Sequence, residues 1–354
     1  MKILAINPGS TSTKIAVYVN ESPVLVHTIR HSVEELTPYA RVIDQYDFRK
    51  QLVLRELENS NVPFEFDAII GRGGLVKPIP SGVYEVNDAL KHDLVHATRS
   101  HASNLGGLIA AELAVMLPGC RAFIADPVVV DELEDIARIS GSPLLPRVSI
   151  FHALNHKAIA RRYAREHGVK YEEQNLIVCH LGGGISVAAH RQGRVVDVNN
   201  ALDGEGPFSP ERAGTLPAGE LINLCFTGRF TREELQKQVT GRAGLAAHLG
   251  STDILAIMDR INKGDEHAAQ VMDAMIYNVA KAIGSEAVVL QGKVDAIVLT
   301  GGIAHSDYVV SKLKAYVSFL GEVKVYPGED EMGALAMNAL GALSGELAVK
   351  EYLG

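Results

Sequence analysis

Apolar residues along the chain fall into short runs that stop at glycines. Ile3 to Ile6 is one such run; the polar stretch Asn7-Pro8-Gly9-Ser10-Thr11-Ser12-Thr13-Lys14 follows, then the β-branched run Ile15 to Val19. Short apolar runs parted by turn residues predict strands, so this segment reads as a hairpin. The same grammar returns at Leu176: Leu-Ile-Val-Cys, then His180-Leu181-Gly182-Gly183-Gly184, Ile185 to His190, a turn at Gln192 and Gly193, and Arg194 to Val198.

A second pair of segments repeats as well. Phe66 to Gly74 and Val294 to Gly302 share an apolar residue, Asp-Ala-Ile, a further apolar residue and Gly-Gly at one offset. Each predicts a buried strand ending at a glycine turn. Two hairpins and two such strands, split in the same order between the halves of the chain, imply a duplicated architecture. The expected domains are residues 1–149, joined by a C-terminal helix over 333–354, and residues 150–332. Helical patterning fills the gaps: Glu34 to Glu58, Asp88 to Leu117 with interruptions, Ile150 to Glu166, Ala218 to Cys225, Arg232 to Val239, Asp265 to Leu290 and Glu331 to Lys350. Thr231 with Glu234 predicts a capping box, and Gly168 follows a basic last turn. The fold class is therefore alternating α/β.

Composition narrows the function. Of 354 residues 47% are hydrophobic, which suits a globular enzyme, and 34 basic against 42 acidic residues leave a net charge of −8. That balance argues against a nucleic-acid or anionic-membrane binder, so any bound anion must be held locally. The scattered Cys120, Cys179 and Cys225 fit neither a disulfide framework nor a C-x-x-C metal site and suit a reducing cytoplasm. No signal-type apolar run precedes Asn7, and the longest apolar stretch, Leu105 to Leu117, is broken by Glu112 and reads as a buried helix.

Three glycine turns at strand ends carry the candidate chemistry. Asn7 to Lys14 is dense in hydroxyls and backbone N–H groups and could wrap phosphate oxygens, although it lacks the Gly before Lys and the following helix of a Walker A loop. Its alternative is an ordinary hairpin turn. Gly182-Gly183-Gly184 frees backbone amides for an anion beside His180, or marks a tight strand crossing. Thr300-Gly301-Gly302-Ile303-Ala304-His305 could lie along an adenosine. Together the three fit a nucleotide site better than any one alone. Arg72 and Arg212 sit inside polar turns, Gly-Arg-Gly-Gly and Ser-Pro-Glu-Arg-Ala-Gly, where a planar cation suits a carboxylate or a phosphoryl group. Among 13 histidines, His101, His152 and His180 stand out; His156, four residues after His152, and the rest read as ordinary helix or surface residues, since the pair lacks the Glu of a zincin.

These motifs resemble a known family. Asn-Pro-Gly-Ser-Thr-Ser-Thr-Lys at 7–14, His-Leu-Gly-Gly-Gly-Ile-Ser at 180–186, Leu-Thr-Gly-Gly-Ile-Ala at 299–304 and Ser-Pro-Glu-Arg-Ala-Gly-Thr-Leu-Pro at 209–217 are similar to the acetokinase family, the acetate, propionate and butyrate kinases of the actin-like ATPase and sugar-kinase superfamily. Residues 126–141 and 197–208 resemble its butyrate-kinase branch in particular. The resemblance implies two βββαβαβα domains with a nucleotide cleft between them, a ribonuclease H-like core in each, and a last helix returning to the first domain. It implies reversible in-line transfer from ATP to a short-chain carboxylate, butanoate or a branched four-carbon acid before acetate, with Mg²⁺ and a homo-oligomeric assembly. By matched motif, Asn7 and Glu331 would hold Mg²⁺; Ser10, Thr11, Ser12 and Lys14 would line the phosphate path. Gly182, Gly183, Gly184, Gly301, Gly302 and Ile303 would contact nucleotide. Arg72, Arg212, His152, His180 and His101 would surround the reacting groups, with Asp126 nearby as an orienting group. Acetate kinases read His-Arg-Val-Val-His-Gly-Gly where this chain has Gly-Arg-Gly-Gly, so the acyl pocket is expected to differ. A sugar kinase of the same superfamily, in which Asp126 would be an essential base, and a non-catalytic ATP-binding sensor or assembly module are the alternatives.

Overall fold

The computed structural model describes residues 1–97 and 101–354. They divide into two units, one of Met1–Val130, Ala153–Asn155 and Asp330–Gly354, the other of Asp131–His152 and His156–Glu329.

In the first unit, β1 (Lys2–Pro8) and β2 (Ser12–Val19) pair antiparallel as the predicted hairpin, with Asn7 opposite Lys14. The meander continues into β3 (Ser22–Arg30), a mostly exposed edge strand that the sequence pattern did not predict. The Asp-Ala-Ile segment becomes β4 (Ala68–Arg72), parallel to β1 in the sheet centre. Then come β5 (Val83–Glu85) and β6 (Arg121–Ala125), and the seven-stranded order is completed by a short strand, Val349–Lys350, beside β5. Strands buried on both faces read as continuous apolar runs, which is why β1, β4 and β6 contribute Leu4, Ile6, Ile69 and Ile124 to one core. The helix Asn104–Val115 lies directly on β4, because Gly71 and Gly106 present no side chain where the two backbones meet; a Cβ on Gly71 would overlap the Gly106 carbonyl group.

The second unit repeats the plan. Antiparallel β7 (Asn175–Leu181), β8 (Ile185–Arg191) and β9 (Arg194–Val198) match the first meander, and β10 (Ala296–Gly301) lies parallel to β7 as β4 does to β1. Then β11 (Val323–Pro327) takes the edge, giving the order β11-β10-β7-β8-β9. The helix Glu266–Val289, capped by Asp265, packs Met272, Met275, Ile276 and Ile283 against this sheet. Two sheets with one shared strand order are the duplicated actin-like α/β fold.

Several helices differ from the sequence pattern. The expected helix Glu34 to Glu58 is three pieces, Val33–Leu36, the 3₁₀ turn Val42–Gln45 and Tyr46–Asn59, because Pro38 offers no N–H to continue the first. The expected helix Asp88 to Leu117 is Asp88–Val95 and Asn104–Val115; its residues 98–100 lie outside the described residues. The last helix stops at Ser344 rather than Lys350, since Gly345 turns left-handed (φ 79°) and the chain reverses into the strand at Val349–Lys350. Ile150 to Glu166 begins only at Ala153, which leaves His152 as the residue before the first turn. The Thr231–Glu234 capping box forms as expected.

Candidate functional site

Each unit gathers candidate residues at one end of its sheet. In the first, parallel pairing of β1 with β4 sets Asn7 and Arg72 side by side just past the Ile6–Gly71 register pair. The helix Glu331–Ser344 packs over β1 and β4 and delivers Glu331 from its first turn, where the helix dipole favours a carboxylate. Arg72 Nη1 stands 2.6 Å from Glu331 Oε1, Asn7 Nδ2 donates to Glu331 Oε2 at 2.6 Å, and Arg72 Nη1 donates to Asn7 Oδ1 at 3.5 Å. Three residues drawn from both ends of the chain thus form one mutually bonded group.

The turn between β1 and β2 is tight: Gly9 N–H donates to Ser12 O at 2.7 Å, with Ser10 and Thr11 exposed at its tip. A residue the sequence pattern did not flag fixes it. Arg49, fully buried on the helix Tyr46–Asn59, donates through Nη1 to Gly9 O (2.8 Å), Ser12 O (3.0 Å) and Thr13 Oγ1 (3.1 Å), and through Nη2 to Ser10 O (3.2 Å). Thr13 Oγ1 also bonds His31 Nε2 at 2.9 Å; burial, helped by the Arg49 charge, pulls the His31 ring down to about 4, so that ring is neutral. In a helix read on its own, an Arg looks solvated. Only the fold shows its reach to the turn.

Asp126 follows β6, the strand next to β4, with a left-handed φ of 39° that non-glycine residues seldom adopt. Its Oδ1 accepts from Ser81 Oγ (2.6 Å) and Gly82 N–H (2.8 Å). His101 lies exposed before the helix Asn104–Val115; its Nδ1 accepts from Ser103 N–H at 3.2 Å and faces Ser103 Oγ at 2.8 Å, so in the neutral ring the proton sits on Nε2.

In the second unit, β10 runs parallel to β7 with Thr300 opposite His180, which places Gly301 against Leu181 and starts the 3₁₀ turn Gly302–His305 at that end of the sheet. Gly301 takes φ 89° and its missing side chain makes room for Leu181 O. Gly184 is required for a different reason: a Cβ there would overlap the Arg212 guanidinium. The 209–217 loop is tied to the triple glycine by Ser209 Oγ, which donates to Gly183 O at 2.5 Å and accepts from Arg212 N–H at 3.1 Å. Arg212 Nη1 donates to Ala201 O, while its Nε is buried without a hydrogen-bond partner. Burial lowers this guanidinium below the usual arginine range, opposed by Glu211 and Asp203. A buried N–H of a cation with nothing to bond is an anion site in waiting.

His152 and His180 stack at 3.8 Å between centroids with planes 12° apart, and His180 Nε2 is 3.7 Å from Glu329 Oε2. His152 Nδ1 is 3.0 Å from Ser186 Oγ. His156 and His190 are not surface residues: both rings are wholly buried behind this pair. Burial by a sheet packed from elsewhere in the chain leaves no local signature in sequence.

No group of three His, Cys, Asp or Glu side chains suited to a metal occurs among the described residues, so they form no cage made of protein alone. Mg²⁺ normally takes one or two carboxylates with substrate phosphates, all through oxygen. Glu331 offers the one carboxylate and Asn7 the one amide oxygen of such a partial donor set; here the Glu331 oxygens face Arg72 Nη1 and Asn7 Nδ2, and Asn7 Oδ1 faces Arg72 Nη1.

Known proteins resemble this chain over nearly its whole length. The acetokinase family model matches residues 144–329. The chain is 69% identical over 352 residues to a probable butyrate kinase of Bacteroides thetaiotaomicron, covering 99% of this chain and 100% of the relative. It is 52% identical over 353 residues to butyrate kinase 2 of Clostridium acetobutylicum, covering 99% of each. Among solved structures it superposes on Porphyromonas gingivalis acetate kinase with TM-score 0.79 at 20% identity, covering 97% of this chain and 99% of the other, and on Entamoeba histolytica acetate kinase with TM-score 0.75 at 18% identity, covering 95% and 98%.

Proposed function

The chain belongs to the acetokinase family, and we propose that it is a butyrate kinase, catalysing butanoate + ATP = butanoyl phosphate + ADP in either direction. Relatives named butyrate kinase, 52 to 69% identical over nearly the whole chain, support the acceptor. The observation that carries the chemistry is Arg212, a half-buried guanidinium whose Nε is buried and unpartnered beside the triple glycine.

A simple carboxylate has a pKa of about 4 to 5 and is already ionised at pH 7, so the acceptor needs no general base. The obstacle is repulsion between that anion and the triphosphate. A carboxylate oxygen forms the new bond to phosphorus in line as the bond to the β–γ bridging oxygen breaks, and the electron pair leaves on ADP. Arg72 and Arg212 neutralise the charge spread over the equatorial oxygens, and His152 and His180 donate to them. Asp126, with one oxygen engaged by Ser81 and Gly82, orients its loop and does not abstract a proton. Ser10, Thr11, Ser12 and Lys14 hold phosphates along the first turn; Gly182 to Gly184 and Gly301 to Ile303 give backbone approach to the nucleotide; His101 assists the reacting groups through Nε2–H. Asn7 and Glu331 would hold Mg²⁺, which when bound neutralises phosphate charge.

We place the enzyme in a reducing cytoplasm as a homo-oligomer. Its three cysteines are free, no helix among the described residues is long and apolar enough to cross a membrane, and Val115 and Met116 expose apolar surface that a second subunit could cover.

The test is an acceptor panel with MgATP, scored as hydroxylamine-trapped acyl phosphate for acids of two to six carbons. Each buried CH₂ contributes ~0.8 kcal/mol, so the two extra in butanoate predict at least about a tenfold preference over acetate in kcat/KM. Equal values for the two acids overturn the butanoate preference, and phosphorylated sugar without acyl phosphate overturns the reaction class.

A further inference from the structure

Behind His152 the second unit buries an unbroken line of hydrogen-bonding groups. His152 Nδ1 is 3.0 Å from Ser186 Oγ, Ser186 Oγ is 2.8 Å from His156 Nε2, His156 Nδ1 is 3.3 Å from His190 Nε2, and His190 Nδ1 is 2.7 Å from Tyr171 Oη. Ser186, His156 and His190 are fully buried and Tyr171 is 4% exposed. The rings are nearly parallel: His156 lies within 13° of His190 and 21° of His180, which stacks on His152.

Burial drives the His156 and His190 rings well below the ordinary histidine range, and the charges on His180, Lys157 and Arg161, with His156 acting on His190, push the same way. Both rings are therefore neutral. A neutral imidazole donates at one nitrogen and accepts at the other, which fixes one direction from Tyr171 to Ser186; a Ser186 hydroxyl that accepts from His156 has its own proton left to give, and His152 Nδ1 at 3.0 Å is its next neighbour in the line. Either Tyr171 O–H donates inward and every bond points toward His152, or all of them reverse.

A phenol is the better donor and an imidazole nitrogen the better acceptor, which selects the inward direction. Ser186 O–H then donates to His152 Nδ1, and in the neutral ring the His152 proton sits on Nε2. Resting on the assignment of His152 to the phosphoryl group, we infer that Tyr171, His190, His156 and Ser186 are positioning residues that hold His152 as the Nε2–H tautomer, so that it offers a donor and not a lone pair to the anion being transferred. The opposite tautomer would turn an electron pair on a polyanion. No net proton moves along the line; its work is to fix one.

The experiment is two-bond ¹H–¹⁵N NMR on histidine-labelled protein without substrate, the His152 signal being assigned by its loss in His152→Gln. The expected spectrum has the proton on His152 Nε2 in the wild type and a mixture of tautomers in Tyr171→Phe. In turnover, Tyr171→Phe lowers kcat by about tenfold, one hydrogen bond to a charged group, with KM for both substrates within about twofold. A wild-type ring protonated on Nδ1, or a tautomer unmoved in a folded Tyr171→Phe, overturns the inference. Because the spectrum needs no substrate, it decides even if Tyr171→Phe fails to fold, and a protein that makes no acyl phosphate can still pass it. The two readings therefore fail separately.

Discussion

The Arg72 guanidinium and the Glu331 carboxylate meet at 2.6 Å, joining the end of a central strand to the first turn of the last helix. Asn7 bonds the second Glu331 oxygen, so both carboxylate oxygens are engaged and Arg72 is aimed by a fixed partner. Arg72→Ala is expected to cost at least about a hundredfold in kcat, the scale of a transition-state arginine. Glu331→Gln should raise the Mg²⁺ concentration for half-maximal rate by about tenfold as well as lowering kcat. Steady-state rates at varied Mg²⁺ check both, and an unchanged Mg²⁺ dependence in Glu331→Gln would remove Glu331 from the metal role.

Arg212 supplies a paired prediction. Arg212→Ala should lose at least about a hundredfold in kcat, and Arg212→Lys should recover little, since an ammonium cannot reproduce the guanidinium fork. Gly184→Ala, which touches no substrate group by charge, should imitate that loss because its methyl occupies the guanidinium's place. Rates of Gly184→Ala near wild type would show that the Arg212 position is not the working one.

Much of the fold was legible because buried parallel strands need apolar residues on both faces. The Asp-Ala-Ile runs became β4 and β10 in matching positions of two sheets, and the glycines after them lie where backbones cross. Elements without a buried apolar run were harder: β3 is a mostly exposed edge strand, while the Ala-rich pattern after Glu331 gives no warning that Gly345 reverses the chain. Among candidate site residues, Arg72 and Arg212 stood out by their glycine-rich surroundings; Arg72 closes β4 and Arg212 lies in the 209–217 loop. Arg49, His156, Ser186 and His190 did not. Their partners are Ser10, Thr13 and Tyr171, chosen by tertiary packing, and no spacing within one element records such a choice.

Arg49 gives a test of the first turn. Burial lowers its guanidinium to about 10, so it stays charged at neutral pH while satisfying three carbonyls and a hydroxyl. A lysine there has one ammonium for acceptors lying in several directions. Arg49→Lys is expected to destabilise the protein by at least about 2 kcal/mol, from buried acceptors left unpaired. The surviving enzyme should show a raised KM for ATP with little change in KM for butanoate, because the loosened turn carries Ser10 and Ser12. Denaturant titration and initial rates check the two parts.

The buried carboxyl of Glu286 sets a pH dependence of stability whose sign can be worked out. It is 8% exposed on the helix Glu266–Val289, and its Oε2 has no hydrogen-bond partner. Burial pushes it up to about 8, with Asp197 adding to the shift and Arg147 opposing it. In the unfolded chain the group ionises near its ordinary 4.5. Between those two pH values the unfolded state has released a proton that the folded state still holds, so stability from this group is present below 4.5 and is lost as pH rises toward 8. Glu286→Gln keeps the shape and cannot titrate. Its stability relative to wild type should therefore climb with pH, reaching on the order of 4 kcal/mol in its favour near pH 8, at about 1.36 kcal/mol per pH unit above 4.5. Groups common to both proteins cancel in that difference, so urea titrations of the pair at pH 5, 6, 7 and 8 isolate Glu286, and a difference that stays flat across the series would place its carboxyl in the ionised form.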